Sequence, residues 1–313
     1  MKSKFFKELS VNKLIVAFLI LVITTGVMVL VLNSVIDIYN KKNWKNETVV
    51  QVENIKEHDV KKFFDEYLFQ KGISGDKSKI EVHGEIYGAI VPHHLIPSFI
   101  IADIFERITK QDTKTIILLA PNHHDVGNTP VVVGALEWNT PYGKIMPNTE
   151  MISKLSQKDY ISIDDQILDN EHGIAGLLPF ITYHRNDIKI VPIILRQNIT
   201  REQINDLSKS IVDIKNDNAV IVASVDFSHF LTSAEAEQND KRTKMMMKDH
   251  DIDELLRMNT DYLDSPEAIS VLLQTMKQIE VPSMNILYNT NSGYLMNDPY
   301  GETTSYFGIV FAR

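Results

Sequence analysis

The sequence predicts an α/β fold: a single domain with a largely parallel or mixed central sheet flanked by helices, preceded by an N-terminal transmembrane helix. Three observations predict it. From Ile80 onward, apolar strand-like runs alternate with helical patterns, the order expected of a sheet built with helical crossovers. Three of those runs end directly in histidine or in an Asp/His pair. Finally, Leu14–Leu32 is an uncharged apolar stretch of 19 residues. At about 1.5 Å rise per residue it has the length that spans a bilayer.

In chain order, residues 1–13 form a basic tail and residues 14–34 the membrane anchor. A cleaved signal peptide would have a shorter apolar region and a small-x-small site, and Asn33–Tyr39 offers none. Lys2, Lys4, Lys7 and Lys13 precede the span and Lys41, Lys42 and Lys45 follow it. The bias favours a cytoplasmic N-terminus, a single pass, and a soluble domain outside the cytoplasm. Residues 35–79 are expected as a stalk and helical linker, with helix-like spacing over Val49–Leu68, and residues 80–313 as the α/β domain.

Within that domain Tyr87–Val91, Thr115–Ala120, Pro130–Gly134, Ile188–Leu195, Ala219–Ser224 and Tyr306–Phe311 read as strands. Ser98–Thr109, Ile204–Asn216, Glu235–Met258 and Pro266–Ile279 read as helices.

Composition narrows the chemistry. The seven lysines up to residue 45, against Glu8 and Asp37, give +5, so the remainder of a chain of net charge −9 carries −14. An acidic body argues against nucleic acid, whose phosphates need clustered Lys and Arg. There is no cysteine, which excludes disulfides, thiolate catalysis and Cys-bound metals.

The functional signal is the histidine at the strand ends. Tyr87–Val91 leads to Pro92-His93-His94, Thr115–Ala120 to Pro121-Asn122-His123-His124-Asp125, and Ala219–Ser224 to Val225-Asp226-Phe227-Ser228-His229. Parallel strands bind ligands outside their carboxyl ends, so these groups are expected at one edge. Adjacent residues of an extended segment point opposite ways, so at most one of each His pair faces a shared site. His58, His83, His184 and His250 are read as ordinary hydrogen-bonded residues.

A metal here would take imidazole, carboxylate and water. Two His with one carboxylate suits non-haem Fe(II), and three N/O ligands with a water suit zinc equally well. The candidate carboxylates are Glu171, Asp226, Asp264 and Glu267, although Asp264-Ser265-Pro266 is also a helix start with either of the first two as N-cap. Asp226-x-x-His229 could equally be a carboxylate orienting an imidazole for proton transfer.

In order, Pro92-His93, Pro121-Asn122-His123-His124, Trp138-Asn139-Thr140-Pro141-Tyr142-Gly143, Glu171-His172 with Leu178-Pro179-Phe180, Ser224–His229 and Thr304-Ser305-Tyr306 resemble the MEMO family. That family includes AmmeMemoRadiSam system protein B-like chains and has the fold of LigB-type class III extradiol dioxygenases. The resemblance runs from about Ile80 to the end. It implies metal ligands at His93, His123 and, seven residues before Val271-Leu272-Leu273, Asp264. It also implies that Asp226, His229 and His172 line the pocket, His229 in the place of the dioxygenase acid–base histidine. Ala175 and Leu177 stand where relatives carry a Glu and a His, so that wall is less polar. The implied cofactor is a divalent or redox metal ion, iron or copper ahead of zinc. The implied activity is metal-dependent redox or dioxygenase-type chemistry on a small molecule. A zinc-type hydrolase and a non-enzymatic surface binding module are the alternatives.

Overall fold

The computed structural model describes residues 55–281 and 283–313. The anchor expected at 14–34 lies outside the described residues. Among the described residues, no helix is long and apolar enough to cross a membrane.

Twelve strands pair into a mixed sheet. In chain order they are β1 (His58–Asp59), β2 (Ile86–Val91), β3 (Thr115–Pro121), β4 (Val131–Val133), β5 (Trp138–Thr140), β6 (Gly143–Pro147), β7 (Ile161–Ile163), β8 (Lys189–Leu195), β9 (Ala219–Ser224), β10 (Phe227–Leu231), β11 (Met284–Asn291) and β12 (Thr303–Ala312). The main path runs β1-β5-β6-β8-β3-β9-β2-β12-β10. Its centre, β8-β3-β9-β2, is parallel throughout. β12 pairs antiparallel with β2, β10 and β11.

Every residue of β3 and β9 is buried, as near-continuous apolar strands covered on both faces require. Alternate side chains serve two cores: Ile117 and Leu119 pack on one face, Ile116 and Leu118 on the other. The eleven described α-helices are α1 (Glu66–Ile73), α2 (Ser98–Thr109), α3 (Thr149–Leu155), α4 (Asp165–Leu168), α5 (His172–Ala175), α6 (Leu178–Thr182), α7 (Arg201–Ile214), α8 (Ser233–Asp249), α9 (Ile252–Leu255), α10 (Pro266–Gln278) and α11 (Ser292–Leu295). α7 and α10 close the first face through Ile204, Leu207, Val271 and Leu272. α2 and α6 close the second through Ile100, Ile104 and Phe180.

Three expectations need correction. The compact body begins at Ile55, not at residue 80. β1 pairs in parallel with β5, and buried His58 stacks on Trp138 with ring centroids 4.0 Å apart. Its Nδ1 lies 3.0 Å from Asp169 Oδ1 and its Nε2 2.9 Å from Asp165 Oδ1, so residues 55–79 belong to the domain. Next, the helix expected over Val49–Leu68 is, in its described part, a 3₁₀ turn at Val60–Phe63 followed by α1, because Asp59 and Asp65 each cap a new start. Finally, the helix expected over Glu235–Met258 breaks at His250, whose φ of 54° ends α8 in a left-handed cap before α9 begins.

Candidate metal centre

β9 lies between β2 and β3 in the sheet, and all three run parallel. The residues just beyond their carboxyl ends are therefore neighbours: Asp226 in the middle, His93 on one side and His123 on the other. His93 and Asp226 are fully or nearly fully buried, and the imidazole of His123 is 24% exposed. The ring centroids of His93 and His123 lie 4.9 Å apart.

Asp264 comes from elsewhere in the chain. The bridge between Phe227 and Leu263 brings it in, with Asp264 N–H donating to Asp226 O at 3.1 Å and Asp226 N–H to Asp264 Oδ2 at 3.3 Å. Of the two N-cap candidates of α10, Ser265 does the capping, its Oγ accepting from Ala268 N–H at 3.2 Å. The Asp264 carboxylate is thereby left free to face the histidines. Its Oδ2 lies 3.2 Å from His93 Nε2 and 4.0 Å from His123 Nε2. Two ligand atoms each about 2.1 Å from one ion stand roughly 3.0–3.4 Å apart at octahedral to tetrahedral angles. The first separation falls in that range, and the second fits a wider angle.

Neighbouring groups fix both rings. Glu171 caps α5 and is almost fully buried. Its carboxylate accepts from His123 N–H at 3.0 Å and Gly173 N–H at 3.0 Å, and stands 2.6 Å from His123 Nδ1. A carboxylate there holds the proton on Nδ1 and turns Nε2 toward Asp264, the carboxylate–histidine arrangement of metal sites. A side chain at Gly173 would crowd this pair, since an added Cβ would come within 3.3 Å of Glu171 Oε1. On the other ring, Ser224 Oγ donates to Gly173 O at 2.6 Å, so its lone pair accepts from His93 Nδ1 at 3.3 Å. His93 Nε2 thus faces Asp264 Oδ2 and, at 3.5 Å, Asp226 Oδ2.

A nitrogen facing two carboxylates must carry a proton or meet a cation. Burial lowers His93, but Asp226 and Asp264 outweigh it and push the imidazole up to about 9. His172 goes the other way: burial, then the charges of His93 and His123, push it down to about 4. Its ring lies 4.0 Å from that of His123 and 5.1 Å from that of His93. Two overlapping sets of potential ligands result, His93/His123/His172 and His93/Asp226/Asp264.

The donor set fits a metal ion. Asp226 Oδ2 and Asp264 Oδ1 are buried without a hydrogen-bond partner, an arrangement costly for carboxylates unless a cation joins them. His94 Nδ1 is 3.1 Å from Asp226 Oδ2, close but not aligned as a hydrogen bond, and 3.4 Å from the hydroxyl of buried Tyr306. His229 stands slightly apart on β10, and burial lowers its pKa. β10 carries a register shift against β12, with Phe230 at φ 60°, and the Nδ1 of His229 is buried without a partner.

The structure thus brings together His93, His123, His172, Asp226 and Asp264, with His229 on the adjoining strand. His124 is exposed and takes no part. Glu171, read from the sequence as a candidate ligand, stands against the Nδ1 of His123, and His94 lies outside the two ligand sets, beside Asp226. For Glu171 the available signal was its position beside His172.

The chain is similar in sequence to known proteins. The chain is 26% identical over 230 residues to a MEMO1 family protein of Aquifex aeolicus, covering 71% of this chain and 84% of that protein. It is 25% identical over 242 residues to a MEMO1 family protein of Nitrosopumilus maritimus, covering 75% and 86% respectively. Among solved structures, an uncharacterized protein of Escherichia coli K12 aligns with TM-score 0.48 and 12% identity, over 71% of this chain and 99% of that one. The family model described as Memo-like protein matches residues 54–310, and the chain belongs to that family.

Proposed function

We propose that the protein binds a redox-active divalent metal, iron or copper, through His93, His123 and Asp264, and uses it for redox or dioxygenase-type chemistry on a small molecule. The observation that carries this reading is the approach of Asp264 Oδ2 to His93 Nε2 at 3.2 Å and to His123 Nε2 at 4.0 Å, with each imidazole held by its other nitrogen. Two His and one carboxylate would hold the ion, and bound iron or copper would supply electron transfer. Asp226 holds His93 through its backbone N–H at 3.1 Å and adds negative charge beside the site. His229, lowered by burial, is neutral near pH 7 and suited to take a proton from the substrate.

A second reading is favoured by one observation. His93, His123 and His172 form an all-histidine set. Three imidazoles with a water suit catalytic zinc, which lowers the pKa of bound water to about 7 for hydrolysis.

Elemental analysis of the full-length protein, prepared without oxygen, separates the two. The redox reading expects about one iron or copper per chain, lost in Asp264→Ala and retained in His172→Ala. Stoichiometric zinc, lost in His172→Ala and retained in Asp264→Ala, would overturn it. Residues 14–34 extend the proposal to a membrane-anchored protein with its domain outside the cytoplasm. Protease accessibility in intact cells tests this, and protection of the domain counts against it.

A further inference from the structure

Beside the metal centre, on the α10 side, lies a cavity of about 400 Å³. Asp264 lines it and is therefore a wall common to both. The other polar lining groups are Glu267, Gln197, Asn259 and Thr260, and Met258 supplies apolar surface. None of the described residues lining it is Lys or Arg. Of the arginines next to lining residues, Arg196 pairs with Asp125 at 2.9 Å and the Arg257 side chain is 74% exposed.

Two largely buried carboxylates thus line one cavity that no described Lys or Arg lines. The Glu267 residue is 6% exposed, and its partner among side chains is Ser265 Oγ at the long distance of 3.4 Å. The Asp264 side chain is 9% exposed, and its Oδ1 is buried with no partner. Such groups are costly to bury unless a ligand satisfies them. Neutral amide and hydroxyl groups around them can take the remaining hydrogens of an ammonium group, while Met258 receives a short alkyl chain.

We propose that this cavity is a subsite for the protonated amine of a small alkylamine-bearing ligand, bound between Glu267 and Asp264. It deepens the metal-centre reading, on which it rests only in taking Asp264 as the shared wall: the substrate class becomes a small organic cation. Burial, reinforced by the charges of Asp264 and Asp125, pushes Glu267 up to about 7, and an ammonium beside it would reverse that cost.

The test is calorimetric titration of the full-length protein, metal-loaded and metal-free, with n-butylamine and with its isostere 1-butanol at pH 7.5. The amine is expected to bind at least about tenfold more tightly than the alcohol in both forms. Glu267→Gln should reduce that preference by about tenfold while metal content per chain stays unchanged. Equal binding of the alcohol, no detectable amine binding, or full preference retained in Glu267→Gln would each overturn the proposal. So would a preference found only in the metal-loaded form, because the nitrogen would then be ligating the metal. If Glu267→Gln fails to fold, the amine–alcohol contrast in the unaltered protein decides alone. A protein that holds no metal yet prefers the amine removes the metal reading and leaves this one standing.

Discussion

At the scale of single residues, the pairing of Glu171 with His123 sets how well the centre can hold an ion. Glu171→Gln keeps the size and the N-cap but replaces a carboxylate that holds the proton on His123 Nδ1 by a neutral amide. Metal affinity is expected to fall about 10- to 100-fold with the fold intact, checked by competition with a chelator of known affinity. Unchanged affinity would mean that His123 needs no orienting partner. The meeting of His93 and His123 at one sheet edge was legible in the sequence because strand ends announce their direction. The place of Asp264 beside them was legible only through its spacing from Val271-Leu272-Leu273 and the family resemblance, since the local sequence reads equally well as an N-cap. Glu171 was legible as a candidate carboxylate beside His172, but not its contact with His123, which is a meeting across 48 residues of chain. Ala175 and Leu177 are both fully buried, so the wall expected to be less polar is apolar packing.

At the scale of elements, the start of α10 does two things at once. Ser265 caps the helix, and the preceding residue faces the imidazoles. Ser265→Ala is expected to cost about 0.5–2 kcal/mol, read as a lower midpoint of thermal unfolding. It should also weaken metal binding, because a frayed first turn no longer fixes Asp264. A destabilised protein with undiminished metal affinity would show that the Phe227–Leu263 bridge alone positions the carboxylate. The central strands were readable in sequence because all their residues are apolar and buried. The β5–β6 hairpin and β11 were not read as strands. β5 and β6 are short, β11 is only partly buried, and their pairing partners rather than their own composition make them strands. The break at His250 was equally hidden, since a left-handed cap on a residue other than glycine leaves little trace in an apolar pattern.

At the scale of the whole molecule, the trapped charges make stability depend on pH in a direction that metal reverses. His93 is raised to about 9, so in the metal-free protein its contribution is complete below about 6.5 and is lost as pH rises through 9. Glu267 is raised to about 7, so the folded form also holds its proton more tightly, and stability falls between about 4.5 and 7. Metal binding needs deprotonated ligands and strengthens as pH rises. The gap in melting temperature between metal-loaded and chelated protein is therefore expected to widen from pH 6 to pH 9, by several degrees on calorimetry. A gap constant across that range would refute the assignment of His93 as ligand. The two carboxylates that grip His58 have a mechanical meaning as well. Asp165 and Asp169 flank α4, and Asp169 stands two residues before Glu171. The chain is thus clamped, immediately after residues 1–54, to the same segment that orients His123. A pull on the N-terminal side of His58 would act first on Asp165 and Asp169, two residues short of the carboxylate that holds His123.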